Sequence, residues 1–258
     1  MAPAFGRAPS SPSGPPMIRL RFDQATALLT LDRGGARNGL PIAAWDAIAD
    51  AAASVAASEA EVLIVESAMP GIFSAGADLG EFPALIADSA LRTRFRIAMA
   101  AGIEALAALP IPVIAAVDGG CFGAAVALTL ACDIVVAGDA ALFATTPAKL
   151  GIGYPASDVA RLRGRVGAGQ AARMLFTGDR IVGDAALRIG LAHCRASDAA
   201  EQARAMAATI CANDAGAVRL LKSILRDPAN PAHDQAFEDA FGSRGFAQRL
   251  DAFLGGKR

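Results

Sequence analysis

Residues 111–138, IPVIAAVDGGCFGAAVALTLACDIVVAG, are the stretch best suited to chemistry. They read as a buried strand over 113–117, a Gly-rich turn from Asp118-Gly119-Gly120, a small-residue helix over 121–132 and a second strand from Asp133. The chemistry on offer is that of the main chain. A helix start beneath a strand end leaves unpaired N–H groups facing a cavity, ready for an anion or a developing oxyanion. Side-chain chemistry is sparse. His193 and His233 are far apart and lack metal-ligand spacing. Cys121, Cys132, Cys194 and Cys211 form no C-x-x-C pair. They read as small buried hydrophobes in a reducing compartment, with a lowered thiol pKa at Cys121 as the alternative. No Ser–His or Cys–His arrangement stands near the turns, so a hydrolase is the weakest reading.

Several elements must position that turn. Residues 18–22 and 27–31, separated by Asp23-Gln24, predict a hairpin. Residues 33–39 (RGGARNG) are a loop, and Pro41 opens a helix through Trp45, Ile48 and Ala52. A strand is expected over 62–66, a turn at Met69-Pro70-Gly71, and an Ala-rich helix over 85–109 that stops at Pro110. Residues 141–143 are extended, and 170–176 and 183–189 are helical around a turn at 177–180. From about Asp198 helical runs alternate with breaks. Strands therefore fill the first half of the chain and helices the second.

The chain has 258 residues, enough for one sizeable domain. Apolar residues make up 54% and mean hydropathy is +0.40, yet no uninterrupted apolar run is long enough to span a bilayer. The excess apolar surface is assigned to subunit contacts. A net charge of -1, from 24 basic and 25 acidic residues, excludes non-specific nucleic-acid binding. Residues 1–16 (MAPAFGRAPSSPSGPP) read as a disordered tail rather than a signal peptide.

Four stretches in order together resemble the crotonase superfamily, the enoyl-CoA hydratase/isomerase family. They are FSAGADLGEF at 73–82, PVIAAVDGGCFGAA at 112–125, LACDIVVAG at 130–138 and LFTGDRIVGDAALRIGLAH at 175–193. The resemblance runs from about residue 18 to the C-terminus. It implies an α/β fold: a crotonase (ClpP/crotonase-like) spiral of ββα units over 17–195, then a helical trimerisation region over 196–258. It also implies homo-trimers or hexamers and an acyl-CoA substrate with coenzyme A as part of it and no separate cofactor. Histidine spacing, charge and apolar-run length add the expectation of no metal and no nucleic-acid or membrane partner, with a cytoplasmic location.

By position the resemblance assigns the two N–H groups that hold the thioester oxygen to Ala75 and Ala124. The two glutamates that manage water in family hydratases fall at Ala127 and Pro147, so both carboxylates are missing. A positioned acid or base contributes about 10²–10⁴ in rate, so isomerase-like or other enolate chemistry is expected over hydration. The alternative is a catalytically inactive acyl-CoA-binding relative. Asp158 stands where the family often has a glycine near the acyl pocket, and is the candidate acid–base residue. A helix-start cap is its other reading. Asp78 and Glu81 read as loop and helix-start structure, and Asp118 as a turn former. Coenzyme A contacts are expected from Arg37, Asn38, Gly39 and Leu40, from Gly76, Ala77, Asp78 and Leu79, and from Phe253 and Lys257 near the C-terminus.

Overall fold

A computed structural model describes residues 17–255. The expected tail at 1–16 and Lys257 lie outside the described residues. The chain opens with the antiparallel hairpin β1 (Ile18–Asp23) and β2 (Thr26–Leu31), followed by β3 (Gly39–Leu40) and α1 (Ile42–Ala56). Next come β4 (Val62–Ser67), β5 (Ile72–Ser74), β6 (Gly76–Ala77), α2 (Phe82–Ala87) and α3 (Ser89–Ala108). The central unit is β7 (Val113–Val117), β8 (Gly120–Phe122) and α4 (Ala124–Leu130), and it leads into β9 (Ile134–Ala137), β10 (Leu142–Ala144) and α5 (Ala156–Thr177). Then follow β11 (Ile181–Val182), α6 (Gly183–Arg188), β12 (Cys194–Arg195) and the helices α7 (Ala199–Cys211), α8 (Ala215–Arg226), α9 (Ala232–Phe241) and α10 (Arg244–Gly255).

The strands form a six-stranded sheet in the order β1-β2-β4-β7-β9-β12 and a four-stranded sheet in the order β11-β10-β8-β5. From β2 to β12 the large sheet is parallel, which fits the apolar runs VLIV and VIAAV, buried throughout. The chain passes from the large sheet to the small one in each turn: β4 to β5, β7 to β8, β9 to β10. A helix returns it each time. This is the ββα spiral, and it stacks the two sheets around one apolar core that holds Trp45, Phe73 and Phe143.

The C-terminal helices are not set apart from the spiral. Ala199, Ala203 and Ala207 on α7 pack against Val62, Ile64, Ile114 and Val136 on the outer face of the large sheet. On α8, Lys222 is 5% exposed and donates to the Ile111 carbonyl and the Asp133 carboxylate, both at 2.7 Å. That carboxylate also accepts the Val113 N–H at 2.7 Å, so one ion pair fixes α8 to the start of β7. Burial lowers the Lys222 pKa, and Asp133 opposes the shift.

Three expectations about elements need correcting, the first being the helix over 170–176, which is the end of the longer α5. The helix over 121–132 begins at Ala124, because Cys121 and Phe122 belong to β8, paired in parallel with β10. The single helix over 85–109 is two helices, α2 and α3. Asp88 is extended, and its carboxylate accepts the Ala90 and Leu91 N–H groups, which starts a new helix there.

Candidate active site

A cavity of about 330 Å³ opens where α4 begins. It is lined by Ala75, Ala77, Gly123 and Ala124, by Leu79 from the 3-10 turn before α2 and Phe82 at the start of α2, and by Phe95, Arg96 and Met99 from α3. Thr146, Pro147, Tyr154 and Asp158 close the remaining wall.

Each wall has a local cause. Asn38 adopts φ +52° and is fully buried. Its side-chain nitrogen lies within hydrogen-bonding distance of the Leu31 carbonyl, the Ser67 hydroxyl and the Phe73 carbonyl, and its oxygen accepts the Arg33 N–H at 2.7 Å. Asn38 therefore clamps β2, β4 and β5 together, and the coenzyme A contact expected of it is corrected to a structural role. Gly39, Leu40 and Gly76 are likewise buried and shape the wall from behind. Ser74 donates to the Asn38 carbonyl at 2.6 Å and accepts the Gly76 N–H at 3.0 Å. Gly76 sits at φ +87°, and a Cβ there would lie 2.8 Å from the Ala124 nitrogen. Only glycine lets the two main-chain segments approach this closely.

The oxyanion assignment to Ala75 is corrected by its hydrogen bond. The Ala75 N–H donates to the Arg37 carbonyl at 2.9 Å. Asp78 donates to the Leu40 carbonyl at 3.0 Å, so its N–H points to β3. Alternation along an extended chain turns the preceding N–H, that of Ala77, to the opposite side. Ala77, expected only as a coenzyme A contact, is thus the better donor beside Ala124. Ala124 opens α4 after Gly123, whose φ of +54° is not helical, and the first N–H groups of a helix have no partner within it.

Asp158 is 2% exposed and lies in the first turn of α5. It makes no capping bond there, so the cap reading fails. Its carboxylate accepts from Arg161 at 3.3 Å, and Arg161 also pairs with Glu104 at 2.6 Å. Burial raises the Asp158 pKa from the ordinary carboxylate value, and Arg161 opposes the rise. Tyr154 donates to the Gly123 carbonyl at 2.9 Å, one residue before Ala124. Burial, and then Asp158 and Cys121, push its phenol well above its usual range, so it remains a neutral donor. Burial also raises Cys121, which answers the reactive-thiol alternative.

Ala127 is fully buried in α4 and Pro147 borders the cavity, and neither side chain can transfer a proton. Asp78 is bound to Arg33 at 2.8 Å, and Glu81 accepts the Ile42 N–H that opens α1. Both carboxylates are thus engaged within the chain. Asp118 accepts the Ala199 N–H at 3.4 Å, so it also ties a turn to the next element. Arg37 is exposed and lines a second cavity with Lys149 and Arg180, which shares Thr146 with the first. Phe253 is 63% exposed on α10 and lines neither cavity.

A ββα spiral with a cavity at the start of its central helix is the architecture of the crotonase class. The family model described as enoyl-CoA hydratase/isomerase matches residues 21–243. The chain belongs to this family. A solved enoyl-CoA hydratase/isomerase family protein from Hyphomonas neptunium is 32% identical with a TM-score of 0.89, covering 93% of this chain and 95% of that one. An enoyl-CoA hydratase structure from Bacillus anthracis is 26% identical with a TM-score of 0.87, covering 93% and 97%. A Mycobacterium tuberculosis protein named "Probable enoyl-CoA hydratase echA6" is 30% identical over 88% of this chain and 92% of its own length.

Proposed function

We propose that this protein processes acyl-CoA thioesters by holding the thioester oxygen between the Ala77 and Ala124 N–H groups as it gains enolate charge. The reading rests on one arrangement: two main-chain segments locked together at Gly76 beside a buried carboxylate in a largely apolar cavity. Asp158 is the proton-transfer group, and Tyr154 fixes the donor turn through the Gly123 carbonyl. With alanine at 127 and proline at 147 there is no carboxylate pair to activate water. The reaction is therefore isomerisation or another enolate reaction rather than hydration. One oxyanion donor is worth about 10²–10³ in rate and one acid–base group about 10²–10⁴.

Coenzyme A enters as part of the substrate and no separate cofactor is required. Arg37, at the rim near Thr146, is the phosphate-facing cation of this reading. Phe237, Phe241 and Phe246 stack edge to face on α9 and α10 and are exposed. This apolar face is the contact surface for a homo-trimer or hexamer. Among the described residues no helix is long and apolar enough to cross a membrane, and a cytoplasmic location is retained as part of the proposal.

Incubation with crotonyl-CoA in heavy water tests the chemistry by mass spectrometry of the thioester. Deuterium gained without addition of water is the expected result. Addition of heavy water across the double bond would show that hydration proceeds without the two glutamates. An unchanged mass, together with tight binding, would favour the binding-only reading that the missing carboxylates also suit.

A further inference from the structure

We infer that Glu104 is a positioning residue for the cavity carboxylate: it draws the Arg161 guanidinium away from Asp158 and so leaves Asp158 free to take and return a proton. This rests on the reading of Asp158 above and adds the groups that regulate it. The three side chains run from the cavity to the surface, with side-chain exposure rising from 3% at Asp158 through 23% at Arg161 to 55% at Glu104. Arg161 stands about one turn after Asp158 on α5, and its guanidinium divides two nitrogens between the carboxylates. Nη2 donates to Glu104 on α3 at 2.6 Å, and Nη1 donates to Asp158 at 3.3 Å.

A guanidinium pairs most strongly with a single carboxylate, through two parallel bonds of about 2.7–2.9 Å. Arg161 gives Asp158 only one bond, and a long one, because Glu104 holds the other nitrogen. Asp158 is thus held in place without the full pairing that would keep it charged in an apolar cavity. Burial opposes its charged form, Arg161 favours it, and Glu104 opposes it. The rest of the wall leaves this balance alone. α4 reads AAVALTL and α2 FPALIA, with nothing that titrates. Tyr154, just before α5, is a neutral donor to the Gly123 carbonyl. Arg96 on α3 borders the same cavity, is exposed to solvent and is common to every variant compared below. The Asp158 carboxylate takes a carbon-bound proton from the thioester, and the electron pair passes to the thioester oxygen as the enolate forms. The protonated acid then returns the proton to carbon.

The test reads the Asp158 titration and the chemistry side by side. Full-length protein carrying aspartate labelled with carbon-13 in the side chain is titrated by NMR, and Asp158→Asn identifies the signal. Arg161→Gln removes an opposite charge within hydrogen-bonding reach, so the Asp158 midpoint should rise by about 1–3 pH units. Glu104→Gln should move it the other way, and by less, as Arg161 closes on Asp158. Glu104 lies at the surface, so this variant keeps its fold. The acid limb of deuterium exchange into crotonyl-CoA in heavy water should follow both shifts. A midpoint left unmoved or raised by Glu104→Gln overturns the inference and leaves the Asp158 reading standing. Exchange that is absent, or that Asp158→Asn leaves intact, would overturn that reading and the inference with it.

Discussion

Asp158→Asn should lower turnover by about 10²–10⁴-fold with little change in thioester affinity. The side chain keeps its shape and its place beside Arg161, but it can no longer accept a proton. The native pH profile should fall on the acid side as Asp158 is protonated. Because burial raises the Asp158 pKa, that limb lies above the ordinary carboxylate range, and Asp158→Asn should lack it. Stability runs the other way. A carboxyl group whose folded pKa is raised favours the protonated state, so its contribution to stability is present at low pH and is lost as pH rises through the folded pKa. A neutral amide removes that loss, and Asp158→Asn should unfold at or above the native temperature near neutral pH. An inactive but well-folded variant is the expected outcome. Full activity with an unaltered acid limb would remove Asp158 from the chemistry.

Gly76→Ala should be both inactive and destabilised. The added methyl carbon meets the Phe122 carbonyl and the Ala124 nitrogen, and φ +87° is a conformation that an alanine adopts only under strain. Separating β6 from the start of α4 moves the two N–H donors apart, so turnover should fall by at least about 10²-fold. Gly71→Ala is the matched control. It carries the same backbone strain at φ +71°, but a Cβ there meets nothing within 4 Å. It should lose about 1–3 kcal/mol of stability and keep its activity. Urea unfolding and steady-state kinetics on the two variants separate strain from donor geometry. Equal activity of Gly76→Ala and the native protein would contradict the placement of the donors.

Much of the fold was legible because burial leaves a direct mark on composition. The hairpin alternates around Asp23-Gln24, and β4 and β7 are short apolar runs ended by turn residues. Other elements leave almost no mark. β8 is three residues, GCF, as apolar as the helix that follows, so the boundary at Ala124 shows only in its pairing with β10 and in the non-helical φ of Gly123. β11 and β12 are two residues each. Asp88 reads as one polar residue in a helical run until its carboxylate is seen capping α3.

The site divides in the same way. Asp158 stood out by its type at its position, and the cavity does contain it. Ala75 and Ala77 are chemically identical, and what separates them is the direction of an N–H relative to β3. Register against Leu40 decides that, and register is a tertiary property. Asn38 looked like a loop residue because nothing local reveals that three neighbouring segments converge on its amide.

Two backbone donors at a thioester oxygen polarise its carbonyl, and the carbonyl stretch of a bound acyl-CoA measures this directly. Isotope-edited infrared difference spectra, with the label at the thioester carbonyl, isolate that band from the protein amides. A shift to lower frequency on binding to the native protein, lost in Gly76→Ala, is the predicted result. A bound thioester whose carbonyl band remains where it is in water would rule out two donors at that oxygen.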